Sequence, residues 1–253
     1  MNRRSLVLDD ISHILDNWKY SEHDLNVRII KGVDGRRKVQ MRLDLGILQM
    51  EVDGRPDGRT PRDFESYLDY FQAKSIERTS RSHDAKFVLS AMDCFKLQQE
   101  AIQYYHRYLA LMKLQDYRRV ARDSERNLDV IDFIGKYAEN DDIVWQFEQH
   151  RPYVLMMNTR AKASSELDNE HFEAAIAIIE NAIQQVEQFN DKWAERIGAD
   201  SPELEFLRYW LDEINEQKPM TEMETLNKEL IDAIADEDYE RAAELRDKIA
   251  AKS

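Results

Sequence analysis

The chain has 253 residues, 42% of them hydrophobic and 34% charged, with a formal net charge of −14. This suits one large soluble domain or two smaller ones, and no run approaches the ~18 apolar residues that a membrane span needs. The charge is uneven: residues 1–62 carry 12 Lys+Arg against 10 Asp+Glu, whereas the remainder carries 24 against 40. An acidic bulk of this kind is repelled by a phosphate backbone, which disfavours non-specific nucleic-acid binding.

Only 7 Gly and 5 Pro point to long helices and few loops. Cys94 is the single cysteine. It rules out an intrachain disulfide or a Cys-based zinc site and fits a reducing compartment. The N-terminal stretch MNRRSLVLDDISHILDNW has no long apolar segment, because Asp9 and Asp10 interrupt it. A cytoplasmic location is expected.

In chain order, residues 5–18 read as an amphipathic helix with Ile11, Ile14, Leu15 and Trp18 on one side. Val27 to Lys31 is a strand, and Gly32-Val-Asp-Gly35 is a turn signal. Val39, Met41, Leu43 and Leu45 then alternate with polar residues, the period of a half-buried strand. After Gly46 the phase flips to Leu48, Met50 and Val52, which predicts a β-bulge or a bend into a third strand. The expected product is an antiparallel sheet of two or three strands with helices on one face.

Asp53 to Pro61 holds two Asp-Gly pairs and two prolines and reads as a structured loop. Thr60 caps an expected helix that begins at Pro61 and carries Phe64, Tyr67, Leu68 and Phe71. Lys74 to Ser82 is polar and reads as a connector. Helical patterning then runs over 84–114, 117–138, 141–168, 171–195 and 202–216, with Pro152 expected to kink or split the third segment. Residues 220–253 form two further short helices. The capping signals there are Thr221 with Glu224 and, for the second helix, Asp238. Met223, Leu226, Leu230 and Ile234 form the expected inner stripe of the first helix, and Tyr239, Ala242, Ala243, Arg246 and Ile249 that of the second. Such a hairpin is too small to be robust alone and is expected to dock on something.

The fold class is therefore mainly α with a small β part (α+β). Three parts are expected: an α+β region over 1–80, a helical domain over 84–217 and a C-terminal αα-hairpin over 220–253. One local pattern recurs around Tyr117, Phe172 and Tyr239: an acidic or polar turn, an aromatic, then small residues opening a helix. It resembles tetratricopeptide (TPR) grammar, although the aromatics lie 55 and 67 residues apart rather than at the roughly 34-residue TPR period. Aromatic-plus-alanine turns also close ordinary αα-hairpins.

Leu226, Glu229, Ala233, Asp238-Tyr239-Glu240, Ala242-Ala243, Leu245-Arg246-Asp247 and Ile249 carry a second resemblance. This stretch is similar to the UVR motif, the helical hairpin of UvrB and UvrC and of ClpC- and McsA-type stress proteins. Tyr239 stands where the motif usually has Phe. The resemblance covers about the last 34 residues and implies a module that pairs with a like hairpin, with a second copy of the chain, or with another protein. It places Tyr239, Ala242, Ala243, Leu245, Arg246, Asp247, Leu226 and Leu230 among the partner-binding residues.

Catalytic signatures are missing from the sequence. G-x-x-x-x-G-K-[ST] and His-Glu-x-x-His are absent, and His13, His23, His83, His106, His150 and His171 form no convincing metal set. Cys94 lies on an apolar helix face with Phe87, Ala91 and Phe95 and reads as a buried, inert thiol. Trp145, Trp193 and Trp210 read as core or hairpin packing. The one other candidate site is the loop with Gly54, Arg55, Gly58 and Arg59, whose amides and guanidinium groups leading into a helix start suit an anion; the competing reading pairs these arginines with the acidic helices. No cofactor or metal is expected. The function that follows is a non-enzymatic cytoplasmic interaction or adaptor protein. The alternatives are an accessory factor in excision repair or protein quality control, and an enzyme with an anion site in loop 53–61.

Overall fold

The computed structural model describes residues 10–81, 86–198, 201–220 and 222–252. The elements are α1 (Ser12–Asp16), β1 (Val27–Lys31), β2 (Arg37–Arg42), β3 (Ile47–Glu51), α2 (Tyr67–Arg81), α3 (Ala91–Lys113) and α4 (Tyr117–Tyr137). They continue with α5 (Asp141–Glu148), α6 (Arg151–Leu167), α7 (Phe172–Lys192), α8 (Pro202–Gln217), α9 (Glu222–Ala235) and α10 (Tyr239–Lys252). The chain divides into two compact units between Tyr209 and Trp210. None of the described helices is long and apolar enough to cross a membrane.

The sheet is antiparallel in the order β1-β2-β3. Its register places Val39 between Ile29 and Met50, and Met41 between Val27 and Leu48. The alternation turns Val39, Met41, Met50 and Val52 to one face, where they pack on Ala110 of α3. The phase flip at Gly46 is the chain reversal itself. Leu43 N–H donates to Gly46 O at 2.9 Å and Gly46 N–H to Leu43 O at 3.4 Å, leaving Asp44 and Leu45 as the turn. The opposite face carries a polar ladder, Arg28 donating to Gln40 and Gln40 to Gln49, both at 2.8 Å.

Several helix boundaries differ from the sequence expectation. Of the helix expected over 5–18, the described part is only Ser12–Asp16; residues 1–9 lie outside the described residues. Thr60 does not start a regular helix: Arg62 and Asp63 adopt left-handed φ of 55° and 65°, which interrupts a short 3-10 turn. The helix begins at Tyr67 instead, with Ser66 Oγ accepting from Asp69 N–H at 3.1 Å. Residues 74–81, expected as a connector, extend this helix. Ser75, Thr79 and Ser80 satisfy their hydroxyls on Gln72, Ser75 and Ile76 carbonyls, so a polar sequence is tolerated in helical form. The expected 84–114 helix starts late. Leu89 N–H donates to Tyr137 O at 2.8 Å, pulling that residue into an extended bridge, and Ser90 with Asp93 then forms a capping box. Pro152 splits the 141–168 segment, sitting in the first turn of α6 where no amide hydrogen is needed.

The helices pack in sequence order, α3 on α4, α4 on α6 and α6 on α7, with the short α5 set against α4. One core joins Phe71 of α2, Leu97 of α3, Val130 and Ile134 of α4, Phe147 of α5 and Val154 of α6. A second joins Tyr108 and Leu111 of α3, Val120 of α4, and Met157 and Ala161 of α6. Each such fully buried aliphatic side chain is worth roughly 1.5–3 kcal/mol. Trp145 and Trp193 meet with ring centroids 5.1 Å apart, and Trp145 stacks on Phe189 at 6.4 Å, closing α5 onto α7.

The recurring aromatic pattern has a single backbone cause. Gln115, Glu170 and Glu237 have left-handed φ of 58°, 60° and 57°, each two residues before Tyr117, Phe172 or Tyr239. At each turn the following N–H reaches back to the carbonyl five residues earlier: Asp116 to Leu111 at 3.0 Å, His171 to Glu166 at 2.9 Å and Asp238 to Ala233 at 2.8 Å. A second bond runs from the left-handed residue to the carbonyl three before it: Gln115 to Met112, Glu170 to Leu167 and Glu237 to Ile234. This pair of bonds is a Schellman motif. Its final residue also occupies the N-cap position of the next helix, and Asp116 and Asp238 accept there from Arg119 and Arg241 amides. The residue three after each aromatic (Val120, Ala175, Ala242) is buried at the helix crossing.

A non-glycine residue in the left-handed region costs about 1 kcal/mol. Glu170 is solvent-exposed. Glu170→Gly is therefore expected to stabilise the protein by about 0.5–1 kcal/mol, raising Tm by roughly 1–4 °C. Differential scanning fluorimetry checks this, and an unchanged or lowered Tm contradicts the strain assigned to that turn.

Candidate functional site

The C-terminal hairpin pairs α9 with α10. Its internal core is Ala233, Ala242 and Leu245, flanked by half-buried Leu226 and Leu230. The small Ala233 and Ala242 allow the backbones to approach, and Arg241 reaches Glu229 across the pair at 3.5 Å. Asp238 caps α10 by accepting from Arg241 N–H at 3.1 Å. Thr221 lies outside the described residues.

The inner faces differ from the sequence expectation. In α9 the inward position is taken by Ala233, and Ile234 is 54% exposed. In α10 the inward stripe is Ala242, Leu245 and Ile249, the i, i+3, i+7 spacing of one helix face, while Tyr239, Ala243 and Arg246 are exposed. The expected partner-binding set therefore separates. Leu226, Leu230, Ala242 and Leu245 hold the hairpin together; Tyr239, Ala243, Arg246 and Asp247 face solvent. Ile231 is also outward, 66% exposed, and Tyr239 at the turn is 69% exposed.

The contrast with the two sister turns is physical. Tyr117 packs against the Tyr108–Leu111–Val120 core, and Phe172 is half-buried. Tyr239 occupies the same position of the same turn and leaves its ring in water. A large exposed aromatic beside Ile231 and Ile234 is the kind of surface that marks an interaction site. Residues 221–253 carry ten acidic and five basic side chains, so the hairpin is itself acidic.

Loop 53–61 holds an anion, but the anion is the chain's own Glu100. This carboxylate, fully buried on α3, accepts from the Tyr67 and Leu68 amides at 2.9 and 3.3 Å, at the positive N-terminus of α2. Arg55 approaches it at 2.9 Å, and Arg126 completes the shell. Arg55 also pairs with Asp57 at 3.4 Å. Gly54 and Gly58 serve the backbone, with φ of 68° and 70°; a Cβ on Gly58 would lie 3.3 Å from Glu51 Cγ. Arg59 is exposed. The four candidate residues thus build a turn rather than an open anion cradle, and the reading that pairs the loop's arginines with the helices describes Arg55.

Behind the loop lies a set of charges that the sequence reading missed. Arg107 and Asp123 are both fully buried and pair through two bonds of 2.6 and 2.8 Å. The remaining Arg107 nitrogen donates to Glu51 O at 2.9 Å and Gly54 O at 2.7 Å. Arg122 donates to Val52 O at 3.0 Å, and Arg119 and Arg122 clamp Asp53 at 2.9 and 2.8 Å. The hydrogen bonds from Arg119, then from Arg122, hold the Asp53 carboxyl down at about 2. One signal was available: Glu100 and Arg107 fall at the apolar phase of α3, between Leu97 and Leu111. A charge in that phase is buried and therefore paired.

The other titratable candidates are placed as follows. Cys94 is buried, and desolvation pushes its thiol up to about 11. His13 Nδ1 faces the Asp10 backbone carbonyl at 2.9 Å, and His171 Nδ1 faces Glu166 at 2.9 Å rather than Asp168. His83 lies outside the described residues. Burial lowers the His106 pKa. Among the described residues no three His, Cys, Asp or Glu side chains gather in a metal-binding arrangement.

The C-terminal unit is thus a close-packed αα-hairpin with an exposed aromatic at its tip. Residues 221–253 match the family model described as the UvrB/uvrC motif, which occurs in DNA-repair and protein-interaction proteins. No curated protein and no solved structure matches the chain.

Removing one member of a buried ion pair strands the other, at a cost of about 3–5 kcal/mol. Arg107→Met is expected to destabilise the protein by that amount in urea unfolding, and to open loop 52–56 to hydrogen exchange as the Glu51 and Gly54 carbonyls lose their donor. A loss below about 1 kcal/mol contradicts the role assigned to the pair.

Proposed function

We propose that this chain is a non-enzymatic cytoplasmic adaptor that docks a protein partner through the outward face of its C-terminal hairpin. The observation that carries the reading is Tyr239: the shared turn half-buries its aromatic at Tyr117 and at Phe172 and exposes it here. The match of residues 221–253 to the UvrB/uvrC motif supports a module of the same kind. Ile231, Ile234, Tyr239 and Ala243 supply apolar contact, and Arg246 and Asp247 supply orientation at its rim. Exposed aromatics of this type make strong interface anchors.

The charge of the hairpin points the docking at protein. An acidic face repels a polynucleotide and favours a partner of basic or mixed charge, such as a second UVR-type hairpin with complementary side chains. Self-association through the same face is the other form of this docking. A role as an accessory in excision repair or protein quality control would operate through that contact rather than through a catalytic step.

The experiment compares the intact chain with one ending at Lys218 and with the point variant Tyr239→Ala. Co-purification and light scattering after size exclusion are the readouts. Loss of a partner, or of a dimer, in both the truncated chain and Tyr239→Ala is expected, with helicity of the point variant unchanged by circular dichroism. Truncation of a hot-spot aromatic should weaken docking by about 2 kcal/mol or more. Identical partners and identical oligomeric state in all three proteins would sink the reading.

A further inference from the structure

A cavity of about 630 Å³ opens between α4 and α7, both of which pack on α6. It lies wholly within the first compact unit, apart from the hairpin. Its volume matches sites that take small organic molecules. Gly135 lines it, exposed, from the interior of α4. Proline apart, glycine is the least favourable residue in a helix interior. Gly135 has no positive φ that would call for it. A Cβ at this position would meet nothing nearer than Glu148 Oε1 at 3.7 Å, an ordinary contact. Neither the backbone nor the packing of the chain requires glycine here; its effect is to keep the cavity open.

The charges of the walls narrow the occupant. Asp132 and Glu148 line the cavity, and Arg151 engages both, each at 2.6 Å. Lys136 of α4 and Lys192 at the end of α7 line it too, and both are exposed. Among the described residues neither makes an ion pair. Lys136 Nζ lies 5.0 Å from the Tyr137 ring, and Lys192 Nζ lies 5.0 Å from the Trp193 ring. Three cations thus face two carboxylates, in a chain whose net charge is −14. A local positive excess in a cleft draws an anion. Leu128, Val144, Leu155, Phe189 and Trp193 supply apolar wall. Because Trp193 belongs to that wall, the Lys192 ammonium and an aromatic surface adjoin. An acid group joined directly to a ring reaches both at once.

We propose that this cavity binds an aromatic carboxylate, its acid group paired with Lys192 and Lys136 and its ring against the apolar wall beside Trp193. The space left at Gly135 makes room for it. Such binding gives the helical unit a small-molecule site independent of partner docking by the hairpin.

The test titrates the full chain with 2-naphthoate, with 2-naphthamide as its neutral relative, with 2-naphthylmethylamine as a cation and with decanoate as an acid without a ring. Ligand-observed NMR gives the affinities, and thermal unfolding without ligand gives Tm. Both are read for the native chain, for the double variant Lys136→Gln/Lys192→Gln and for Gly135→Leu. The native chain is expected to bind 2-naphthoate more tightly than the other three probes. The lysine double variant should weaken 2-naphthoate about tenfold, the combined weight of two exposed ion pairs, and leave 2-naphthamide unchanged. Gly135→Leu places a better helix former at an uncrowded position. It should keep or raise Tm and weaken 2-naphthoate at least as much. Equal binding of 2-naphthoate and 2-naphthamide overturns the proposal, as does no binding of 2-naphthoate at millimolar concentration. Unchanged 2-naphthoate affinity in the lysine double variant also overturns it. Tighter binding of decanoate overturns it in favour of an acyl chain, and of 2-naphthylmethylamine in favour of a cation. A lowered Tm in ligand-free Gly135→Leu overturns it as well, because the glycine then serves packing within the chain.

Discussion

The first compact unit depends on the Arg107–Asp123 pair. Both groups are withdrawn from water, and each charge is tolerated only because the other satisfies it through two parallel bonds. The guanidinium does a second task in the same geometry, holding the carbonyls of Glu51 and Gly54 where β3 leaves the sheet. Arg122 adds the carbonyl of Val52, and Tyr104 lies under both Arg107 and Arg126 at 4.9 and 3.9 Å. A small three-stranded sheet needs its apolar face covered, and here that face packs on α3. It is fastened to α3 and α4 by arginines reaching backbone acceptors that would otherwise be buried unpaired.

Glu100 performs the matching task for α2. A carboxylate at a helix N-terminus meets free amides and the positive end of the dipole, and here Arg55 and Arg126 complete its shell. The loop between β3 and α2 is thereby held at both ends by buried ion pairs. That explains how residues 53–59 keep one shape while carrying two glycines with positive φ, and why the loop is occupied from within.

The second organising device is one turn used three times. A left-handed residue, a capping position and an aromatic close α3 on α4, α6 on α7, and α9 on α10 with the same backbone bonds. The surroundings differ. In the larger unit the aromatic is half-buried, Tyr117 against the Tyr108–Leu111–Val120 core; at Tyr239 it is 69% exposed. One local solution serves at two half-buried positions and once at an exposed one.

The sequence by itself determined whatever depends on local period and punctuation. That includes the antiparallel sheet, the reversal at Gly46, the split at Pro152, the inert Cys94, and the UVR stretch from Leu226 to Ile249. These survive because side-chain alternation, helical spacing and proline's missing amide hydrogen act within a few residues of their cause. Only the tertiary structure decided which charges are buried and which apolar side chains are not. Arg107 and Asp123 lie 16 residues apart on different helices, and Glu100 meets amides 33 residues away. Ile234 lost the inward position of α9 to Ala233, because the backbones of a short hairpin approach closely only over small side chains. Polarity is visible residue by residue, but whether a polar atom finds a partner is settled by how the helices pack.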